Sequence, residues 1–356
     1  DEESGLLNKR YDSFAKIRFS NFKSFNFLSY FFCWGNRDYD YLKKKTKNAI
    51  LTGSPRFDLL KLKKPKKNKK KKILIISSFN VTGIRNFADR IFATTGLRDK
   101  YNEFAEKFAY NMESIHALKV YHFVKLIRYL SKNFKNYDIS LRPHPNDNFQ
   151  DWAKLINLKS KNIKIENVED LTLDKSILNS KFVIQNGCTS AIESLLLNIP
   201  CISYIPQKWK EDELSEFPNS LGIKAKDHFE VAKIIKKKST KKFLLKENLL
   251  KKRFFFEKNS YAYERQINIF DRINKNFKKF DPSIYFKQKN LLKNTLKEVK
   301  YIFLKRKKSP IEHKFPKFQK MKIRTIINEI SHLSKKKYYS NTKFEIISDR
   351  ILFLRK

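Results

Sequence analysis

The run KFVIQNGCTSAIESLLLNIPCISYIP, residues 181–206, leaves the chain few ways to fold. Phe182-Val183-Ile184 is a short apolar stretch halted at Gln185-Asn186-Gly187, which reads as a strand stopped by turn residues. Cys188-Thr189-Ser190 opens an apolar helix over 191–197, Asn198-Ile199-Pro200 ends it, and Cys201-Ile202-Ser203-Tyr204 is a second buried strand. Strand, small-residue turn, helix and strand make a βαβ unit. Such a turn sets hydroxyls and backbone N–H groups at the positive end of a helix dipole, which suits a phosphate. The same residues, Ser190-Ala191-Ile192-Glu193, also read as a capping box closing the helix start.

The pattern extends upstream. Ile73 to Ser78, Ile139 to Arg142 and Ile163 to Ile165 are short strands, with helices expected over 99–134, 148–156 and 171–179. Strands alternating with helices predict an α/β fold, a Rossmann-like parallel sheet with helices on both faces. Ligands of such sheets sit at the carboxyl ends of the strands. Ser77-Ser78, Arg142 to Pro145 and Gln185 to Ser190 all lie there.

Before this unit, Phe31 to Gly35 reads as a strand and turn, 38–47 as a polar helix and Ala49 to Gly53 as a second strand and turn. Pro55 is placed to open a short helix over SPRFDLL. Residues 61–72 are nearly all Lys and read as a hydrated linker. The expected organisation is a remnant of an N-terminal domain over 1–70, a Rossmann-like domain over 71–270 and a basic helical tail over 271–356. The chain opens on Asp1 rather than Met, and a preceding segment is expected.

The formal net charge of +42 points to nucleic acid, to an anionic membrane surface, or to compositional drift that makes Lys the default surface residue. Lys far outnumbers Arg, whereas base-reading sites favour Arg, so nucleic acid is the weakest of the three. The three cysteines, Cys33, Cys188 and Cys201, form no CxxC pair, so neither a zinc site nor a disulfide framework is indicated, which suits a reducing compartment. No apolar run reaches membrane-spanning length.

Pro143-His144-Pro145 holds one imidazole between two prolines that fix φ, so the ring is aimed. Arg142 beside it is a bidentate phosphate fork, and His144 can hydrogen-bond a leaving phosphate or act as general acid. The alternative is a structural histidine in a rigid turn. His116, His122, His228, His313 and His332 lie in helix or tail sequence and are assigned to surface or core. Asp1-Glu2-Glu3 is either a solvated terminus or a source of a general base.

Taken as a set, Asp1-Glu2-Glu3, Phe32-Cys33-Trp34-Gly35, the run TGSPRFDLL over 52–60, Arg142-Pro143-His144-Pro145 and NGCTSAIE over 186–193 resemble the bacterial surface carbohydrate biosynthesis proteins. These belong with glycosyltransferases of the two-Rossmann (GT-B) architecture, and the resemblance spans roughly residues 1–270. It implies a GT-B-like chain whose N-terminal domain is only partial. Related sialyltransferases and Kdo transferases carry an acidic motif, an HP motif and a Ser/Thr pair. By that likeness Asp1, Glu2 or Glu3 supplies the catalytic base. His144 and Pro145 engage the nucleotide phosphate with Arg142 and Gly187, Thr189 and Ser190 bind the same phosphate, and Glu193 contacts the ribose. Two departures stand out: Ser4 separates the acidic run from Gly5, and Cys188 occupies a position where a hydroxyl or small residue is common.

The resemblance implies a glycosyltransferase that moves a sugar from a nucleotide-activated, CMP-linked donor to a glycan or lipid-linked acceptor, without metal or cofactor. Its expected place is the cytoplasm, with the basic surface drawn to the inner face of the membrane. A glycerophosphate transferase of teichoic-acid type is the rival within the fold, and a sugar-nucleotide 2-epimerase a weaker one, since few carboxylates are in reach. A non-catalytic basic membrane- or RNA-binding protein is the rival from another class.

Overall fold

The computed structural model describes residues 30–63, 71–77, 103–144, 147, 149–156, 160–167, 170–208, 216–237, 247–257, 260–276, 320–334, 343–348 and 351–355. The chain divides into two compact units, 1–264 and 265–356.

The first unit is built on a six-stranded sheet of β3 (Lys72–Ile76), β4 (Asp138–Arg142), β5 (Ile163–Ile165), β6 (Phe182–Gln185), β7 (Cys201–Tyr204) and β8 (Ile223–Ala225), all pairs parallel. Its spatial order is β5-β4-β3-β6-β7-β8, so the chain builds outward from β3 in one direction and then reverses to build from β6 in the other. This is the order of a doubly wound Rossmann sheet. The crossovers carry the helices α3 (Glu103–Asn133), α4 (Phe149–Ile156), α5 (Leu173–Leu178), α6 (Ser190–Leu196) and α7 (Glu216–Leu221), and α8 (His228–Lys237) follows β8.

Strand side chains alternate between two cores. Ile73, Ile75, Ile139, Leu141, Ile184 and Ile202 pack with Phe123 and Ile127 of α3, Trp152 of α4 and Ile235 of α8. Leu74, Ile76, Val183 and Cys201 pack on the opposite face with Ile177 of α5 and with Ile192 and Leu195 of α6. Burial on both faces accounts for the unbroken apolar character of these strands.

Upstream, β1 (Phe31–Cys33), α1 (Asn36–Leu42) and β2 (Ala49–Leu51) form a two-stranded parallel βαβ, followed by α2 (Pro55–Leu62). Although the Lys-rich stretch after α2 reads as a domain boundary, Phe57 and Leu60 of α2 lie in the same core as α6 and β3. Phe57 packs edge-on against Trp34, centroids 5.7 Å apart, and against Phe254, 5.1 Å apart. The segment holding Phe254 follows α9 (Glu247–Lys251), and Phe255 N donates to Trp34 O at 2.9 Å. The carboxylate of Asp58, itself buried, accepts the amide of Ala262, the first residue of α10 (Ala262–Asn276). An N-terminal helix amide thus finds a carboxylate more than two hundred residues away, a long-range version of an N-cap.

In the second unit, α11 (Lys320–Ser334) agrees with the helical tail expected from sequence. The antiparallel pair β9 (Lys343–Ser348) and β10 (Ile351–Arg355) does not. Phe344, Ile346 and Ile347 against Ile351 and Phe353 are strand formers around a short connection, and that local preference overrides the Lys-rich surroundings. In the first unit, the sequence reading also omitted α7 and β8, because Ile223-Lys224-Ala225 is too short to show a period.

Two outcomes test this packing. Phe57→Ala is expected to cost about 3–5 kcal/mol in urea unfolding, the range for emptying a buried aromatic site. At the α2–α5 junction Lys63 Nζ donates to Asp174 Oδ2 at 2.6 Å. Burial pushes the Asp174 carboxyl up, and hydrogen bonds from Lys63 and Thr172 more than offset it, so its pKa lies below the ordinary 3.8. A depressed carboxyl contributes stability above its unfolded pKa and loses it as pH falls through the folded one. Thermal melts are expected to show Lys63→Ala less stable than the parent at neutral pH, with the gap closing below 3.8.

Candidate functional site

The strand order reverses between β3 and β6, and a doubly wound sheet opens a crevice at that point beyond the carboxyl ends of its strands. Three segments end there: Ser77 after β3, Pro143-His144 after β4, and Asn186 to Thr189 after β6.

A polar scaffold beneath holds the β6 turn. Asn219 Oδ1 accepts from Gly187 N at 2.8 Å and Gln185 Nε2 at 3.4 Å. Gln185 also donates from Nε2 to Ser203 Oγ at 2.8 Å, and its Oε1 accepts from Cys188 N at 2.7 Å. Asn186 Nδ2 donates to the Tyr204 carbonyl at 2.8 Å. Gly187 has φ 71°, a left-handed conformation that a Cβ penalises. Gly222 approaches the scaffold from α7, where an added Cβ would lie 2.1 Å from Ser203 Oγ.

These bonds change the picture of the turn as a source of free backbone amides. Gly187 N–H belongs to Asn219, Cys188 N–H to Gln185, and Ser190 N–H to Cys188 Sγ at 3.5 Å. Ala191 N–H bonds to Cys188 O at 3.1 Å. The cysteine thus takes two amides of the helix start, at a position where the resemblance puts a hydroxyl or small residue. Burial pushes the Cys188 thiol up, and the adjacent Ser190 offsets only part of this, so the sulfur stays protonated.

The capping-box reading is corrected. The N-cap is Thr189, which makes no side-chain cap bond, and Ser190 is the first helical residue. Ser190 is wholly buried and its Oγ has no hydrogen-bond partner. Glu193, also buried, forms an ion pair with Arg56 of α2 instead of turning back to the helix start. The residue assigned to a ribose from the resemblance is therefore, in this structure, the anchor of α2 on α6.

On the β4 side, Arg142 is only 8% exposed and its Nη1 lies 3.3 Å from Glu166 Oε2. Glu166 also accepts from Lys72 Nζ and, at 2.6 Å, from Ser176 Oγ. Two cations and one hydroxyl converge on one carboxylate within the sheet's helix-covered face. His144 is half-buried. Its backbone N–H donates to Asp147 Oδ2 at 3.0 Å, and the same oxygen accepts from Ser77 Oγ at 3.1 Å and Trp152 Nε1 at 2.9 Å. Asp147 and Asn219 organise the two turns and neither was singled out from sequence. Asp147 lies five residues before Trp152, a spacing that carries no motif. Asp1, Glu2, Glu3 and Pro145 lie outside the described residues.

No family model matches the chain, and no curated protein matches it. Similar solved structures are those of the wall teichoic acid polymerase TagF. The unmodified polymerase is 14% identical with a TM-score of 0.42, covering 75% of this chain. A His-to-Asn variant is 14% identical with a TM-score of 0.40 over 75% of this chain, and that variant soaked with CDPG is 14% identical at 0.39 over 73%. The chain spans 61% of the length of each of these three. Among the described residues, no helix is long and apolar enough to cross a membrane, and no group of His, Cys, Asp and Glu gathers as a metal site.

Gly187→Ala is expected to cost about 1–2 kcal/mol through its left-handed backbone. Gly222→Ala is expected to disturb the Gln185–Ser203 bond as well, and chemical denaturation of the two variants, read with crystal structures, checks both.

Proposed function

We propose that the chain is the nucleotide-binding part of a transferase that builds a bacterial surface polymer from a nucleotide-activated donor. One observation carries the reading: the His144 turn and the Thr189–Ser190 turn stand at the carboxyl ends of the strands on either side of β3, where the strand order reverses. That crevice is where doubly wound sheets receive nucleotides.

In this reading His144 donates a hydrogen bond to the phosphate on which charge develops as the donor bond breaks, with Thr189 across the crevice. Ser190 has a hydroxyl without a partner directly behind Thr189, and a modest shift of the turn would bring it to the same phosphate. Arg142 contributes from behind, through the Glu166 pair, by keeping the strand end positive. A carboxylate among Asp1, Glu2 and Glu3 would take the acceptor hydroxyl's proton. Glu193 would reach a ribose only by releasing Arg56.

The donor is proposed to be CMP-linked. A CMP-sugar gives its sugar to the acceptor oxygen and leaves CMP. A CDP-alditol gives an alditol phosphate by attack of that oxygen at phosphorus, and also leaves CMP. The basic surface would hold the protein at the anionic inner leaflet, at about 1 kcal/mol per Lys near the surface.

Calorimetry with CMP, CDP, UDP and GDP tests the site. CMP or CDP is expected to bind more tightly than the others, and His144→Ala to weaken binding by roughly tenfold or more, the equivalent of a lost charge-assisted hydrogen bond. Labelled CMP-sugar and CDP-alditol donors then separate sugar transfer from phosphate transfer. Absence of nucleotide binding, with steeply salt-dependent RNA binding in its place, would overturn the enzyme reading.

A further inference from the structure

One oxygen joins three elements at the candidate site. Asp147 Oδ2 accepts the His144 amide at 3.0 Å, the Ser77 hydroxyl at 3.1 Å and the Trp152 indole N–H at 2.9 Å. Ser77 follows β3, His144 follows β4, and Trp152 lies in α4. The turn closes on itself through Asp147 N, which donates to His144 O at 2.8 Å, and Ser77 N donates to Arg142 O at 3.1 Å. Ser77 is buried and Trp152 has no exposed surface, so two of the three donors sit on fixed parts of the core. The third belongs to the histidine backbone. The carboxylate therefore refers the position of His144 to the sheet and to α4. Proline at 143 restricts φ there, but it leaves the height of the turn above β3 undetermined. Asp147 supplies that restraint.

We propose that Asp147 is the positioning residue for His144 and sets nucleotide affinity through it; the inference rests on the nucleotide-site reading above. A carboxylate serving only as a core strut would cost stability on removal and would change affinity without regard to His144. A positioning residue is coupled to the side chain that it positions, and a double-mutant cycle measures that coupling.

The experiment measures CMP and CDP affinity by calorimetry, and stability by urea unfolding, for the parent chain, Asp147→Asn, His144→Ala and the double variant. Asp147→Asn keeps the shape and removes the charge that holds three donors. It is expected to weaken binding roughly tenfold, the equivalent of one buried hydrogen bond lost. In the His144→Ala background the same change is expected to leave affinity where it was, while its stability cost stays equal in both backgrounds. If Asp147→Asn prevents folding, Ser77→Ala carries the test, since it removes one donor and leaves the carboxylate in place. A smaller loss of affinity is expected there, again only when His144 is present. The Trp152 indole N–H resonance adds a signature: it is expected to move on addition of CMP or CDP in the parent and to stay in His144→Ala.

Equal losses of affinity in both backgrounds would overturn the positioning role, as would unchanged affinity in Asp147→Asn and Ser77→Ala when His144→Ala binds weakly. If His144→Ala binds as tightly as the parent, the site reading itself fails. Absence of binding by the parent chain sinks both.

Discussion

A parallel sheet covered by helices on both faces can offer polar groups to a ligand only at the ends of its strands. That constraint governs the first unit. Leu74 and Ile76 point to one core, and Ile73 and Ile75 to the other. The backbone amides and carbonyls of the four inner strands satisfy one another along the ladders. What is left for chemistry is the loop that leaves each strand. At the reversal of order between β3 and β6 a doubly wound sheet opens its crevice.

Within the crevice, polar accounting is unusually complete on one side. Asn219, Gln185 and Cys188 engage the amides of Gly187, Cys188 and Ser190 in the β6 turn. These three amides are thereby taken up within the protein, and of the two hydroxyls in the turn only that of Thr189 belongs to a residue with exposed surface. On the other side Lys72 and Arg142 share the single carboxylate of Glu166 behind the strand end, which leaves one net positive charge there. Removing Glu166 would leave two buried cations uncompensated, at a cost of about 3–5 kcal/mol. The cluster is therefore tied to the fold as much as to the site.

The upstream segment has a similar double character. Its βαβ pair is small, with Cys33, Leu42 and Ala49 as its buried apolar cluster, and the helix after it is held by contacts elsewhere. Phe57 enters the core of the sheet, Arg56 pairs with Glu193, and Asp58 receives the amide of Ala262. Three consecutive residues of the TGSPRFDLL run thus make three long-range contacts.

Strand and helix periods, turn residues and the proline-flanked His144 were legible because each depends on neighbours within a few positions. From them the sequence alone determined the α/β class, five of the six sheet strands, and the strand ends at which the His144 and Thr189 turns lie. It did not determine the sixth strand, the terminal hairpin, or the partners of Glu193, Arg142 and Gly187. Glu193 three residues after Ser190 has the spacing of a capping box, and only the approach of α2 turned it toward Arg56. Gly187 has the left-handed φ that its turn requires, yet its amide faces Asn219, thirty-two residues later. Asp147 drew no notice in sequence because its three donors come from separate elements. Local pattern sets where a strand stops. Which atoms meet there depends on long-range packing, because a buried polar group takes the partner that the neighbouring element brings to it.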